Sequence, residues 1–218
     1  MWTAEVSAIP DGELTGLHAH LNELERARAA RFHFPRDRHS FVATRGLLRI
    51  LLGAALDEIP GDISFVYSEH GKPRHLESAV RFSVSHSAGW AIFALAMDRE
   101  VGVDLERAER LEIDDKNLPA LAARVLSPRE LESWKALADP VERRAAFLRA
   151  WTRKEALIKG IGTGIAERMS QIDLLDSAAN PPLFADVTVH DARWSVYDLA
   201  APASFSAALA VQQDNGGA

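Results

Sequence analysis

The chain has 218 residues, with 25 Lys plus Arg against 31 Asp plus Glu and a net charge of −6. That length serves one large domain or two small ones with a real core, and the acidic balance argues against a general nucleic-acid binder. The absence of cysteine excludes disulfides, thiolate zinc sites and cysteine nucleophiles. The start, Met-Trp-Thr-Ala-Glu-Val, lacks the regions of a secretory signal, and no apolar run is long enough to span a bilayer. A cytoplasmic protein without nucleic-acid or membrane partners is expected.

In chain order, Leu14, Leu17, Leu21 and Leu24 recur at helical spacing and predict a helix over 12–31, followed by a basic stretch to Arg38. A second helix over about 37–56 turns Val42, Leu47, Leu48 and Leu51 inward and ends near Gly53. Residues 63–67 read as a strand and Gly71-Lys72-Pro73 as a turn. Residues 81–85 alternate as a strand does, and 90–97 form an apolar run suited to a buried strand. Asp98-Arg99-Glu100 then turns the chain into a strand carrying Asp104 and Glu106, which predicts a hairpin.

Residues 107–117 are polar and poorly periodic. Ser127-Pro128-Arg129-Glu130 is a helix start, with serine at the N-cap, proline first in the helix and glutamate closing a capping box. Another helix covers about 140–159 and stops at Gly160-Ile161-Gly162. Short strands are expected near 170–175, 186–190, 193–199 and 204–211, with a disordered tail at 214–218. Each half therefore shows a helix, a glycine and several short strands. The fold class is α+β: two similar lobes, each a small antiparallel sheet packed with helices. The boundaries are 1–100 for the N-terminal lobe and 101–213 for the C-terminal lobe.

Chemistry concentrates in a few blocks. On a helix Trp151, Glu155 and Lys159 share one face, while Asp104 and Glu106 share one side of a strand. Three carboxylates with only oxygen donors suit magnesium or manganese better than zinc, and magnesium shares its shell with substrate phosphates. Lys72 in its turn can meet a phosphate as a point charge, and the hydroxyls and imidazole of Ser85-His86-Ser87 can donate to phosphate oxygens. Arg31, Arg36, Arg38, Arg45 and Arg49 make this region basic within an acidic chain, and Arg38 and Arg45 are expected to face a ligand. The glycines at 160, 162 and 164 follow a helix instead of a strand, so they end the helix and do not form a dinucleotide loop.

Together, Gly71-Lys72-Pro73, Phe82-Ser83-Val84-Ser85-His86-Ser87, Val101-Gly102-Val103-Asp104-Leu105-Glu106 and Trp151–Gly160 resemble the motifs of the 4′-phosphopantetheinyl transferase superfamily, of the surfactin-synthetase-activating type. The resemblance implies a pseudo-dimer with coenzyme A in the cleft between lobes, and transfer of its phosphopantetheine arm to a serine of an apo acyl, peptidyl or polyketide carrier protein, releasing 3′,5′-ADP. By position it implies that Asp104, Glu106 and Glu155 hold Mg2+ (or Mn2+) and that Lys159 offsets charge on the leaving phosphate. It further implies that Arg38, Arg45, Lys72, Ser85, His86 and Lys154 contact coenzyme A. The base is Glu155 or a water on the metal. Trp151 packs beneath the site. Arg124, Arg129, Arg143 and Arg144, with Leu126 and Leu131, are candidates for carrier docking, and a monomer is expected. A non-catalytic module that binds coenzyme A or a carrier is the alternative. A serine hydrolase using Ser85, His86 and Asp104 lacks the Gly-x-Ser-x-Gly elbow.

Overall fold

The computed structural model describes residues 1–108, 116–162, 169–174 and 184–214. The leucine-rich start is two helices, α1 (Asp11–Ala19) and α2 (Glu23–Ala30), where one was expected. The break is chemical: Asn22 caps α2 by accepting from the Glu25 amide, and the Glu25 carboxylate reaches back to the Asn22 amide. Leu17 and Leu21 are buried, whereas Leu24 is 81% exposed. Helix α3 (Pro35–Leu56) starts on Pro35 and ends on Asp57 in the left-handed conformation.

The N-terminal sheet has the order β1 (Trp2–Glu5), β5 (Trp90–Met97), β4 (Val80–Ser87), all antiparallel. Strand β1 was not anticipated from sequence. A separate hairpin, β2 (Phe65–Tyr67) with β3 (Pro73–His75), carries Gly71 at its tip with φ +81°. Helix α3 packs on this lobe through Val42, Ala43, Leu48 and Leu52, against Phe82 and Phe93.

The second lobe contains β6 (Val101–Arg107), α4 (Leu118–Val125), α5 (Pro128–Ala136), α6 (Pro140–Ile161), β7 (Phe184–Val189), β8 (Ala192–Leu199) and β9 (Phe205–Gln212). Its antiparallel sheet runs β6-β9-β8-β7. The capping box at Ser127 and Glu130 is present. Helix α6 ends on Gly162 at φ +72°, and the three C-terminal strands fall close to their expected places. Helix α4 had been missed, and residues 170–174 contain no strand; residue 175 and the tail at 215–218 lie outside the described residues.

The expected β5–β6 hairpin is not formed. Both edges of β5 are taken, by β1 and β4, so β6 pairs with β9 in the other sheet. A core of Ile92, Ala94, Val101, Val103, Leu105 and Ala207 joins the lobes. Two α+β lobes thus meet as a pseudo-dimer, and the meeting strands are β4 and β6. Side chains stitch them: Ser83 Oγ accepts from the Val103 amide at 3.1 Å and Ser87 Oγ from the Arg107 amide at 3.2 Å. These hydroxyls satisfy edge amides that no neighbouring strand pairs.

Candidate active site

The site forms where β6 crosses α6, and two glycines permit the crossing. A Cβ on Gly102 would lie 2.0 Å from the Ala156 carbonyl oxygen and 2.2 Å from the Gly160 nitrogen. One on Gly160 would meet the Trp194 ring at 2.7 Å. Backbone contact between strand and helix brings Asp104, two residues along β6, to α6. Lys159 Nζ then stands 2.6 Å from Asp104 Oδ1 and donates to Ser85 Oγ at 2.9 Å. The Ser85 hydroxyl donates to the same carboxylate at 2.9 Å.

Asp104 is 1% exposed, and its second oxygen, Oδ2, is buried without a hydrogen-bond partner among the described residues. Glu106 accepts from Ser87 Oγ at 3.2 Å. Burial raises the pKa of Glu155; the neighbouring Asp104 and Glu106 carboxylates add to the rise, and Lys159 opposes it. Among the described residues no three acidic or imidazole side chains are arranged as a metal cage. The donor set nevertheless fits a hard divalent cation: it is all carboxylate oxygen, it repels itself, and it includes one buried oxygen without a donor.

Beside this cluster lies a cavity of about 1080 Å3 between α3, the β2–β3 hairpin, β4 and the end of α6. Arg28, Arg36, Arg45, Lys72, His86 and Lys159 line it, with Asp37 the one carboxylate among its described lining residues. Phe32, Phe41, Leu48 and Phe82 add apolar wall. An acidic protein has thus concentrated positive charge on a hollow large enough for a nucleotide.

The structure separates the expected ligand contacts. Arg45 lines the cavity, with its guanidinium 3.4 Å from Glu25 and over the Phe65 ring. His86 is exposed on the wall, on the opposite side of β4 from Ser85. Lys72 lies in the wall, but its ammonium already serves Glu100 at 2.7 Å and the carbonyls of Val101 and Gly160. Burial lowers its pKa, against the pull of Glu100. Arg38 is exposed and lines a neighbouring hollow with His18 and His33, outside the large cavity.

Two expectations need correction. Ser85 is buried, bonded to Asp104 and Lys159, and is not among the described residues that line the hollow. Lys154 is fully buried: it donates to the carbonyls of Val125, Met169 and Ile172 and pairs with Glu130 at 2.6 Å. It holds α6 to its own lobe and cannot reach a phosphate in the cleft. Burial lowers its pKa, with Glu130 opposing. Trp151 does pack into the second lobe, against Phe147. Among the docking candidates Leu126 is buried and Arg143 is held by the Leu137 carbonyl, while Arg129 stays exposed beside Asp173. Sequence reasoning did not single out Arg28, or Arg36 as a ligand contact, and it read Ser87 as a phosphate donor where the structure bonds it to Glu106 and the Arg107 amide. The alternation Ser83, Ser85, Ser87 was the available signal that the three hydroxyls share one face of the strand.

Fold and site together define an α+β protein that pairs a cation-lined cleft with a carboxylate cluster. Residues 100–210 match the family model of the 4′-phosphopantetheinyl transferase superfamily, and residues 10–98 match that of the 4′-phosphopantetheinyl transferase N-terminal region. The 4′-phosphopantetheinyl transferase HetI of Nostoc is 37% identical over 206 residues, covering 93% of this chain and 83% of that protein. A putative 4′-phosphopantetheinyl transferase of Synechocystis is 33% identical, covering 73% and 64%. A solved holo-(acyl-carrier-protein) synthase of Bacillus anthracis, 23% identical, covers 52% of this chain and 94% of its own, with a TM-score of 0.42. The chain belongs to the 4′-phosphopantetheinyl transferase superfamily, as its motif blocks implied.

Proposed function

We propose that the protein transfers the 4′-phosphopantetheine arm of coenzyme A to a serine of an apo acyl, peptidyl or polyketide carrier protein, releasing 3′,5′-ADP. The observation that carries this reading is the cation-lined cavity ending, at Lys159, against Asp104, Glu106 and Glu155. A nucleotide with a 3′-phosphate and a pyrophosphate needs such a cationic wall. Arg45 and His86 are the contacts for its phosphates, with Arg28 and Arg36 beside them. Lys72 shapes the wall while its ammonium holds the lobes together.

Asp104, Glu106 and Glu155 would hold Mg2+, with Mn2+ an alternative. When bound, the cation supplies charge neutralisation and orientation at the pyrophosphate. Phosphoryl transfer asks little covalent chemistry of a protein, so positioning and electrostatics dominate. Lys159 faces the cavity and offsets charge on the leaving phosphate. Glu155, whose pKa is raised by burial and its carboxylate neighbours, or a water that it orients, would take the proton of the attacking serine. The exposed Arg129 face of α5 is the carrier-docking candidate.

The test is the intact mass of an apo carrier protein after incubation with this protein, Mg2+ and coenzyme A. The expected result is a gain of one phosphopantetheine arm, lost with Glu155→Ala. No gain across fatty-acid, peptidyl and polyketide carriers, with coenzyme A still bound, would leave a binding module instead.

A further inference from the structure

We infer that Ser85 and Ser87 are positioning residues that aim Asp104 and Glu106 across the lobe seam, and that Ser83, in the same row, is not. This rests on the reading of those carboxylates as cation ligands.

The three serines occupy alternate positions of β4 and face β6. Their partners advance along β6 in step, at offsets of 19 or 20 residues, and the two strands run side by side in different sheets. The partners differ in kind. Ser83 Oγ is bonded to a backbone amide, that of Val103. Ser85 Oγ donates to Asp104 Oδ1, and Ser87 Oγ donates to Glu106 Oε2 while accepting from the Arg107 amide. One strand of the first lobe therefore holds both strand carboxylates of the second.

The bonds are set in a dry environment. Ser83, Ser85 and Ser87 are 7%, 5% and 1% exposed. Ser85 occupies Oδ1 of Asp104 together with Lys159, which leaves the buried Oδ2 as the oxygen without a donor. A carboxylate with one oxygen tied and the other open has one orientation for a cation. Hydrogen bonds behind metal ligands commonly change metal affinity by about 10–100-fold when removed. The same bonds make the carboxylate aim depend on how β4 sits against β6, so the lobe contact and the cation site are one structure.

The experiment measures Mn2+ binding by electron paramagnetic resonance, with coenzyme A present and carrier absent, for wild type and Ser83→Ala, Ser85→Ala and Ser87→Ala. Melting temperatures are recorded alongside, because all three variants lose a bond across the seam. The expected result is Mn2+ affinity reduced about tenfold or more for Ser85→Ala and Ser87→Ala, unchanged for Ser83→Ala, and restored by Ser85→Thr. Equal loss in all three, or no loss in any folded variant, overturns the inference and leaves the row as a structural seam. Absence of Mn2+ binding by the wild type also overturns it. Phosphopantetheine transfer by the same wild-type sample then shows whether the proposed function stands without it.

Discussion

Gly102 and Gly160 pass with their backbones in contact: a Cβ on Gly102 would lie 2.2 Å from the Gly160 nitrogen. This crossing places Asp104 of the strand 2.6 Å from Lys159 of the helix. The atoms that such a Cβ meets are backbone, so no rotamer change relieves them. Gly102→Ala is expected to cost about 1–3 kcal/mol, with more if the helix cannot shift. Transfer should fall further than stability does, because relief separates β6 from α6. Urea unfolding beside a carrier-modification assay checks both.

Lys154→Met should be a stability variant. It leaves Glu130 buried without its cation and three carbonyls without their donor. Removing one partner of a buried pair costs about 3–5 kcal/mol. The KM for coenzyme A of the protein that remains folded should match wild type. A raised KM at full stability would restore Lys154 to the phosphate site.

Arg45 and Arg38 should separate in kinetics. Arg45→Ala removes a cation from the cavity wall and should raise the KM for coenzyme A about tenfold or more, in line with ~1.5–3 kcal/mol for a charge-assisted bond. Arg38→Ala, outside that cavity, should leave it unchanged.

Glu155→Gln should lower kcat by about 10²–10⁴-fold, the usual weight of a positioned acid–base group. The metal-free variant should be no less stable than wild type, because the amide ends the repulsion from Asp104 and Glu106 that raises the Glu155 pKa. Chemical denaturation in the presence of a chelator supplies the second measurement.

Lys72 gives a pH dependence of known sign. Burial lowers its pKa below the ordinary 10.5, so on raising the pH the native protein releases this proton before the unfolded chain does. The unfolded state then binds more protons, and Lys72 contributes stability that rises with pH between its lowered value and 10.5. Lys72→Met should flatten that rise. Unfolding free energies measured from neutral pH upward decide it; an unchanged slope would contradict the assignment.

Much of the fold was legible because its signals are local. The capping box at Ser127, the proline and glycine ends of α6, and the alternating strands after residue 184 are written within a few residues of where they act. The break between α1 and α2 was equally local, in Asn22 and Glu25, yet the leucine spacing masked it. The pairing of β6 was not legible: a strand after a tight turn is ordinarily a hairpin partner, and only the occupation of both β5 edges sends it to β9.

For the site, the sequence by itself determined the chemical inventory: Asp104 and Glu106 two apart on a strand, Glu155 and Lys159 four apart on a helix, and a basic stretch before them. These follow from the periods of strand and helix. Tertiary structure alone decided which neighbours each charge meets. Lys154 and Lys159 differ by five positions on one helix; one is buried against its own lobe and the other faces the cleft. Ser85 and His86 are adjacent, yet one holds a carboxylate and the other lines the hollow. Side-chain period says that such residues diverge. What lies on either side depends on contacts between residues far apart in the chain, which no local pattern encodes.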